Sequence, residues 1–586
     1  MKTLIETLLK QALGAMPDDM VPAAARDCGI EVEYTRDAQH GDFASNVAMR
    51  LAKATRQNPR KLAEALMNRL PHNAAIAKVE LAGAGFINFF LAKDAYHAEI
   101  RRVLEQAGNY GRSQIGAGRS VQVEFVSANP TGPLHVGHGR HAAFGATVAN
   151  LLEAVGYQVK REYYVNDAGR QMEILAVSTW LRYLEQCGER FTFPANGYRG
   201  DYIIAIAAQL YAAQGTSLRH AAAELFKGLP ADEPQGGDKD VYIDAVIARA
   251  RVLIGAEAFR RVLGRALDGI LADIREDLAE FGVNFDCWFS ERSLSDSGAV
   301  DKAIETLKRT GHAYQKDGAW WFKSTDYGDE KDRVMVRENG VKTYFASDIA
   351  YVFNKLERGF AHLLYIWGAD HHGYITRLRA GLMALGGPAD SFEVRLVQFV
   401  SLFRGGEKAQ MSTRSGEFVT LRDLRKEVGN DAARLFYVMR SNDQHLDFDL
   451  ELAKARSNDN PVYYIQYAHA RVASVMRQMQ ERGLSHDVAH GLASLNTLVE
   501  PQELQLIKRI SAFSEIISQC ATLRAPHTLV HYLRDLANDF HTYYSALQFI
   551  VEDAGTRNAR LDLALATQSV IRNGLALLGV SAPQTM

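Results

Sequence analysis

Two histidines three positions apart, His135 and His138, stand in the stretch Ser127-Ala-Asn-Pro-Thr-Gly-Pro-Leu-His-Val-Gly-His-Gly-Arg140. It follows an alternating apolar run at residues 121–126. It precedes residues 141–156, where Phe144, Val148, Leu151, Leu152 and Val155 recur at helical spacing. A strand, a turn and a helix in that order present unpaired N–H groups and a partial positive charge at the helix start, which suits a nucleotide phosphate. Gly137 lets the nucleotide come close to the backbone, and both imidazoles can donate to phosphate oxygens as charge builds during attack. The plain alternative is a surface turn with two incidental histidines. The Asn-Pro-x-Gly-Pro lead-in and the strand-to-helix placement argue against it.

A second constellation, Trp367-Gly-Ala-Asp-His-His-Gly373, directly follows a strand-like run at 362–366. Gly368 permits close approach there, and Asp370 is placed to accept hydrogen bonds from ribose hydroxyls at the carboxyl end of a strand. Among the acids, Glu124 sits in the middle of an apolar strand and needs a partner if buried. Tyr344 and Asp348 lie one helical turn apart on one face, although Asp348 is equally readable as a first-turn acid favoured by the helix dipole. Glu291 is a third acid at the cleft.

The elements that must hold these residues read as an α/β chain of several domains, since 586 residues exceed one core. Residues 1–117 form an α+β N-terminal domain, with a β-like stretch at 79–90 and a basic cluster of Arg50, Lys53, Arg56, Arg60 and Lys61. Residues 118–450 alternate strand and helix signals as a Rossmann-like, doubly wound parallel sheet does. Long helical runs at about 190–282 interrupt that alternation as an insertion. A hairpin is predicted from 333–337 and 341–345 around Asn339-Gly340, with Ser347 capping the next helix. Residues 451–586 read as an all-α domain.

The bulk numbers narrow the field further. Net charge is −2, so any RNA footprint must be a local patch. The four cysteines are scattered without a Cys-x-x-Cys pair, which argues against zinc and against a disulfide framework. No apolar run approaches the roughly 18–20 residues that span a bilayer. The N-terminus reads as an amphipathic helix rather than a leader, and a cytoplasmic location is expected.

His135-Val-Gly-His138 resembles the HIGH signature of class I aminoacyl-tRNA synthetases, and the wording around it resembles arginyl-tRNA synthetases in particular. Lys408-Ala-Gln-Met-Ser-Thr-Arg-Ser-Gly416 is similar to the KMSK loop of that class, with the stretch 404–416 as its setting. Met411 and Ser412 match, but Gln410 and Thr413 stand where lysines belong. Another cation must then neutralise the phosphate, with Lys408, Arg404 and Arg414 as candidates. The resemblance implies ATP bound with Mg²⁺ as a substrate complex, at Gly137, Gly368, Asp370, His371, Met411 and Ser412. His135, His138, Lys408 and Arg414 would act on the phosphates. It implies L-arginine held by Glu124, Asn129, Tyr344, Asp348, His372 and Glu291, since a guanidinium fork is best matched by paired carboxylates. The run 458–471 resembles the start of the family's anticodon-binding domain, and 444–449 resembles the family too. The resemblance assigns Tyr464, Tyr467, His469 and Arg471 to tRNA(Arg) through stacking on unpaired bases. The N-terminal domain would contact the tRNA elbow. Monomeric action, with tRNA bound before arginine is activated, is the family's habit. Three competitors stay open: a lysine-specific synthetase, a small-molecule adenylyltransferase of the His-x-Gly-His type, and a non-catalytic RNA-binding relative.

Overall fold

A computed structural model describes residues 1–35, 37–409 and 419–586 of the chain. Its centre is a five-stranded parallel sheet. The strands are β1 (Ser120–Glu124), β2 (Gln158–Val165), β3 (Cys287–Ser290), β4 (His362–Gly368) and β5 (Phe392–Val397), in the spatial order β5-β4-β1-β2-β3. Val121 and Val123 are buried on one face of β1, and Gln122 and Glu124 alternate onto the other. Helix α1 (Val136–Ala154) crosses from β1 to β2 and is buried on nearly every side, which explains why its apolar residues outrun a single stripe. The strand order reverses between β1 and β4, so their carboxyl ends diverge and leave a crevice at the switch point.

The interruption after β2 is helical. It includes α2 (Arg170–Gln186), a helix at Asp201–Gln214 and the long α3 (Lys239–Glu280), which kinks at Gly255 where φ is +78°. Strand β3 then rejoins the sheet edge. A separate antiparallel sheet follows, built from Ala313–Lys316, Ala319–Phe322 and Arg333–Val336.

This sheet corrects the predicted hairpin. Arg333–Val336 pairs with Ala319–Phe322, and the turn at Asn339-Gly340 closes through an Arg337 carbonyl that accepts from Gly340 N–H at 2.9 Å. The second arm is short, a single antiparallel bridge of Val336 to Lys342 with Arg337 N–H on the Val341 carbonyl and Thr343 N–H on the Met335 carbonyl at 2.9 Å each, because α4 (Tyr344–Glu357) begins next, with Thr343 and not Ser347 at its N-cap. Thr343 instead donates its hydroxyl to the Val334 carbonyl at 2.8 Å, fixing where the helix starts.

Beyond β5, Val400–Arg404 pairs in parallel with Leu446–Asp449 and antiparallel with Glu407–Lys408. Helices α5 (Leu421–Val428) and α6 (Asn430–Val438) pack beside α1. The C-terminal part is helical, dominated by α7 (Pro461–Glu481), α8 (Pro526–Ala546) and α9 (Ala554–Leu578). The N-terminal part is α+β, a four-stranded antiparallel sheet in which Ile76–Ala82 and Phe86–Leu91 form the expected 79–90 element as a hairpin. It rests on the C-terminal helices through Lys508–Asp42 at 2.7 Å and a Tyr110–Phe513 ring stack at 5.9 Å. No helix among the described residues is long and apolar enough to cross a membrane.

Candidate active site

The carboxyl ends of β1 and β4 open into a cavity of about 660 Å³. One end of it is the start of α1. His135 is the N-cap, and its Nδ1 accepts from Gly137 N–H at 3.1 Å, while His138 Nδ1 accepts from His135 N–H at 3.3 Å. This reciprocal cap has a chemical consequence. Each Nδ1 is an acceptor, so each ring carries its proton on Nε2 and presents it as a donor. The rings stack at 3.6 Å, and burial holds both below the usual histidine range, His138 well below it. Two neutral donors beside a helix N-terminus make an anion site with no proton to shed.

Gly137 is demanded here by the histidine itself, since a Cβ would lie 2.9 Å from the His135 ring. His141, one turn on, joins the cavity wall and donates from Nδ1 to the Gly137 carbonyl at 3.0 Å. The turn is anchored from behind. Val136 N–H donates to the Val419 carbonyl at 3.2 Å, Leu421 N–H to the Leu134 carbonyl at 2.8 Å, and Tyr437 of α6 donates to the Val136 carbonyl at 2.8 Å. Arg140, buried, donates to the carbonyls of Gln398, Gln444 and Ser441. The chain that resumes at Val419 is therefore fastened to the histidine turn.

On the β4 side, Gly368 and Asp370 line the same cavity. A Cβ on Gly368 would come within 2.4 Å of Asp370 Oδ1, so the glycine lets that carboxylate fold back over the strand end. Asp370 and His371 stay solvent-exposed at the mouth, 3.6 Å apart. Phe399, 62% exposed, adds an aromatic ring to the wall near them.

The other end is acidic. Asp348, Glu291 and Glu124 all face the cavity, with Tyr344, Tyr164 and Asn129 between them. Burial pushes the Asp348 carboxyl up to about 7, helped by Glu291 and Glu124. Glu291 is raised too, by burial and by Asp167. Asp167 is itself held by Ser290 Oγ at 2.6 Å and Arg292 N–H at 2.9 Å. Neither Asp348 nor Glu291 has a basic partner at ion-pair distance among the described residues. Such a cluster is repulsive alone and is relieved by a bound cation.

Several expected site residues stand differently. Glu124 is not a free carboxylate, because the fully buried ammonium of Lys355 binds its Oε2. Lys355 lies on the same face of α4 as Tyr344, Asp348 and Tyr351, at steps of four, three and four. That spacing was the signal that could have found it. His372 is exposed and off the cavity wall, and Lys408 is exposed on its short strand, also off the wall. Arg404 is engaged by both oxygens of Glu427, at 2.7 and 2.9 Å, in an exposed ion pair that it would have to leave to reach a phosphate. Met411, Ser412 and Arg414 lie outside the described residues.

At the far end, Tyr463 and Tyr467 stack at 5.7 Å, and Arg471 lies over the Tyr467 ring at 4.4 Å. Tyr464 packs on His541 at 4.6 Å, and Arg471 contacts the same imidazole at 3.0 Å. These partly exposed planes form one platform between α7 and α8. His469 does not belong to it. It is fully buried, with Nδ1 donating to the Pro583 carbonyl at 2.8 Å, because its helical position faces α9 and the C-terminal segment.

Comparison with known proteins places this geometry in a family. Residues 3–91 match the arginyl tRNA synthetase N terminal domain. Residues 99–190 and 255–458 match the class I (R) tRNA synthetase catalytic domain, and 465–586 match the DALR anticodon binding domain. The chain is 58% identical to the arginine–tRNA ligase of Thioalkalivibrio sulfidiphilus and 55% identical to that of Hydrogenovibrio crunogenus, each over all of both chains. It superposes on the solved Thermus thermophilus arginyl-tRNA synthetase with a TM-score of 0.73 at 22% identity, covering all of both chains.

Proposed function

We propose roles for the residues of this chain, which belongs to the arginyl-tRNA synthetase family and attaches L-arginine to tRNA(Arg) with consumption of ATP. The cavity divides the work by charge. ATP enters as its magnesium complex, with the ion carried on phosphate oxygens, and its ribose hydroxyls bond to Asp370. The His135 and His138 Nε2–H groups and the start of α1 face the α-phosphate. The arginine side chain lies at the other end, its guanidinium between Asp348 and Glu291 with Tyr344 beside it, and Asn129 orients the backbone of the amino acid.

The arginine carboxylate then attacks the α-phosphate. A carboxylate oxygen–phosphorus bond forms, the bond to the β-phosphate bridging oxygen breaks, and pyrophosphate leaves with that electron pair. The terminal 2′-hydroxyl of the tRNA attacks the activated carbonyl carbon next, and AMP departs. No side chain forms a covalent bond in this scheme. Catalysis is placement plus hydrogen bonds that strengthen as charge moves onto the phosphate oxygens. Lys408 and Arg414 act on the triphosphate, with Met411 and Ser412 in the same ATP-binding stretch. Residues 1–117 take the tRNA elbow, 118–450 the chemistry and 451–586 the anticodon, where Tyr464, Tyr467 and Arg471 stack on bases. The chain works as a monomer in the cytoplasm.

One observation carries the reading: neutral imidazole donors at one end of a single cavity and, at the other, the carboxylates of Asp348 and Glu291, which have no basic partner among the described residues. Arginine-dependent exchange of pyrophosphate into ATP tests it, with and without tRNA(Arg) and with lysine alongside. Exchange with arginine alone among the two supports it, and exchange with lysine at equal efficiency refutes the carboxylate assignment. Exchange that appears only with tRNA supports tRNA gating of the first step.

A further inference from the structure

The amino acid brings two cations, an α-ammonium and a guanidinium, and a carboxylate that must stay unpaired to attack. The cavity has three buried or half-buried acids facing these groups. If all three were ionised without a resident cation, their repulsion would protonate one of them. Lys355 resolves this. It has no solvent exposure, its Nζ binds Glu124 Oε2, and it lies over the rings of Tyr351 and Tyr365 at 4.1 and 3.8 Å. Behind it, Tyr351 donates to Glu162 Oε1 at 2.6 Å, and Arg358 grips Glu162 with two bonds at 2.6 and 2.9 Å. No hydrogen bond from a described residue reaches Glu124 Oε1, and Glu124 lines the cavity.

We propose that Lys355 is a positioning residue for arginine: a built-in cation that holds Glu124 by one oxygen, so that its second oxygen is aimed at the cavity to receive an N–H of the amino acid. Asp348 and Glu291 are then left for the remaining cation. The assignment rests on reading the cavity as the arginine site. The groups facing the pair are Asp348 and Tyr351 on α4, Arg358 at its C-cap, Glu162 and Tyr164 on β2, Glu291 beyond β3, Tyr365 on β4, and Arg377 on the following helix. Of the two basic groups among them, Arg358 is taken by Glu162 and Arg377 lies over the Tyr374 ring at 4.3 Å, so among the described residues Lys355 is the ion-pair partner of Glu124. Without Lys355 the Glu124 carboxylate loses the one bond that fixes its orientation and is left as a buried charge without its partner.

The test is Lys355→Met in the full chain, assayed by tRNA-supported pyrophosphate exchange, with Asp348→Asn in parallel. The expected result is an arginine KM raised about tenfold to a hundredfold, with the ATP KM and the kcat at saturating arginine each changed less than about twofold. A wild-type arginine KM in Lys355→Met, while Asp348→Asn is impaired, overturns the proposal and spares the site. Wild-type arginine KM in both variants overturns the site reading itself. Should Lys355→Met fail to fold, Lys355→Met/Glu124→Gln removes the unpaired charge. Its arginine KM should stay raised although its melting temperature recovers, and recovery of both would reduce Lys355 to a structural role.

Discussion

Replacing Asp348 by asparagine keeps the shape of the side chain and deletes its charge. In substrate-free protein that charge is a cost. Its carboxyl is lifted from an ordinary 3.8 to about 7, chiefly by burial and then by Glu291 and Glu124. At 1.36 kcal/mol per tenfold change in acidity, ionisation there costs up to about 4 kcal/mol, and solvent reaching a half-buried side chain lowers this to about 1–2 kcal/mol. The cost is fully present above pH 7, where both folded and unfolded forms are ionised. It shrinks as pH falls toward 3.8, where both are protonated. Asp348→Asn should therefore melt higher than wild type by about 2 °C at pH 8, and the gain should vanish near pH 4. Binding moves the other way. Losing charge-assisted bonds to a guanidinium costs about 2–4 kcal/mol, so the arginine KM should rise roughly 30- to 1,000-fold at pH 8. Wild-type affinity for arginine should itself weaken as pH falls through about 7, and the variant should lack that limb. The assays are thermal melting over pH 4–9 and tRNA-supported pyrophosphate exchange over pH 6–9, with the ATP KM as control. A variant that is less stable and binds arginine and ATP equally poorly would show that Asp348 is a framework residue.

Other expectations follow from the same geometry. His138→Ala should slow adenylate formation about a hundredfold in single-turnover assays and leave arginine affinity unchanged; an unchanged rate removes His138 from the transition state. Tyr467→Ala and Arg471→Ala should each raise the tRNA KM by about 5- to 160-fold, at about 1–3 kcal/mol per stacked base, without touching pyrophosphate exchange at saturating tRNA. His469→Ala should instead lower the melting temperature, and a selective tRNA defect with normal stability would contradict its buried place. Lys53, Arg56 and Lys61 are exposed and form no ion pair among the described residues, whereas Arg50 and Arg60 are engaged by Glu31 and Glu64. Changing the three to glutamine should reduce the salt dependence of tRNA binding by a log–log slope of about 2–3, and an unaltered slope would rule out phosphate contacts there.

The nucleotide end of the site was legible because local order encodes it. Strand, turn, His135, Gly137, His138 and helix are contiguous, and their spacing alone implies a helix N-terminus with donors. Helical spacing also put Tyr344 and Asp348 on one face, and the same rule extended by two steps reaches Tyr351 and Lys355. The partnership of Lys355 with Glu124 was not legible, since 231 positions separate them and only the sheet brings them together. Arg404 looked free for the same reason, its acceptor Glu427 lying on a helix beyond the loop. His469 shares a helix with the stacking tyrosines, but sequence does not say which side of that helix meets α9. The hairpin at 333–345 was legible at its turn and overlong in its second arm. Arg337 and Val341, and Met335 and Thr343, do bond across Asn339-Gly340, but the second arm stops after one bridge because a helix starts at Tyr344.

The most direct test is a crystal structure of the protein with a non-hydrolysable arginyl-adenylate analogue. It should place the guanidinium within hydrogen-bond distance of Asp348 and Glu291, the phosphate mimic against the Nε2 atoms of His135 and His138, and the ribose on Asp370. An analogue whose guanidinium lies away from Asp348, or whose phosphate end turns from the two histidines, would contradict the account.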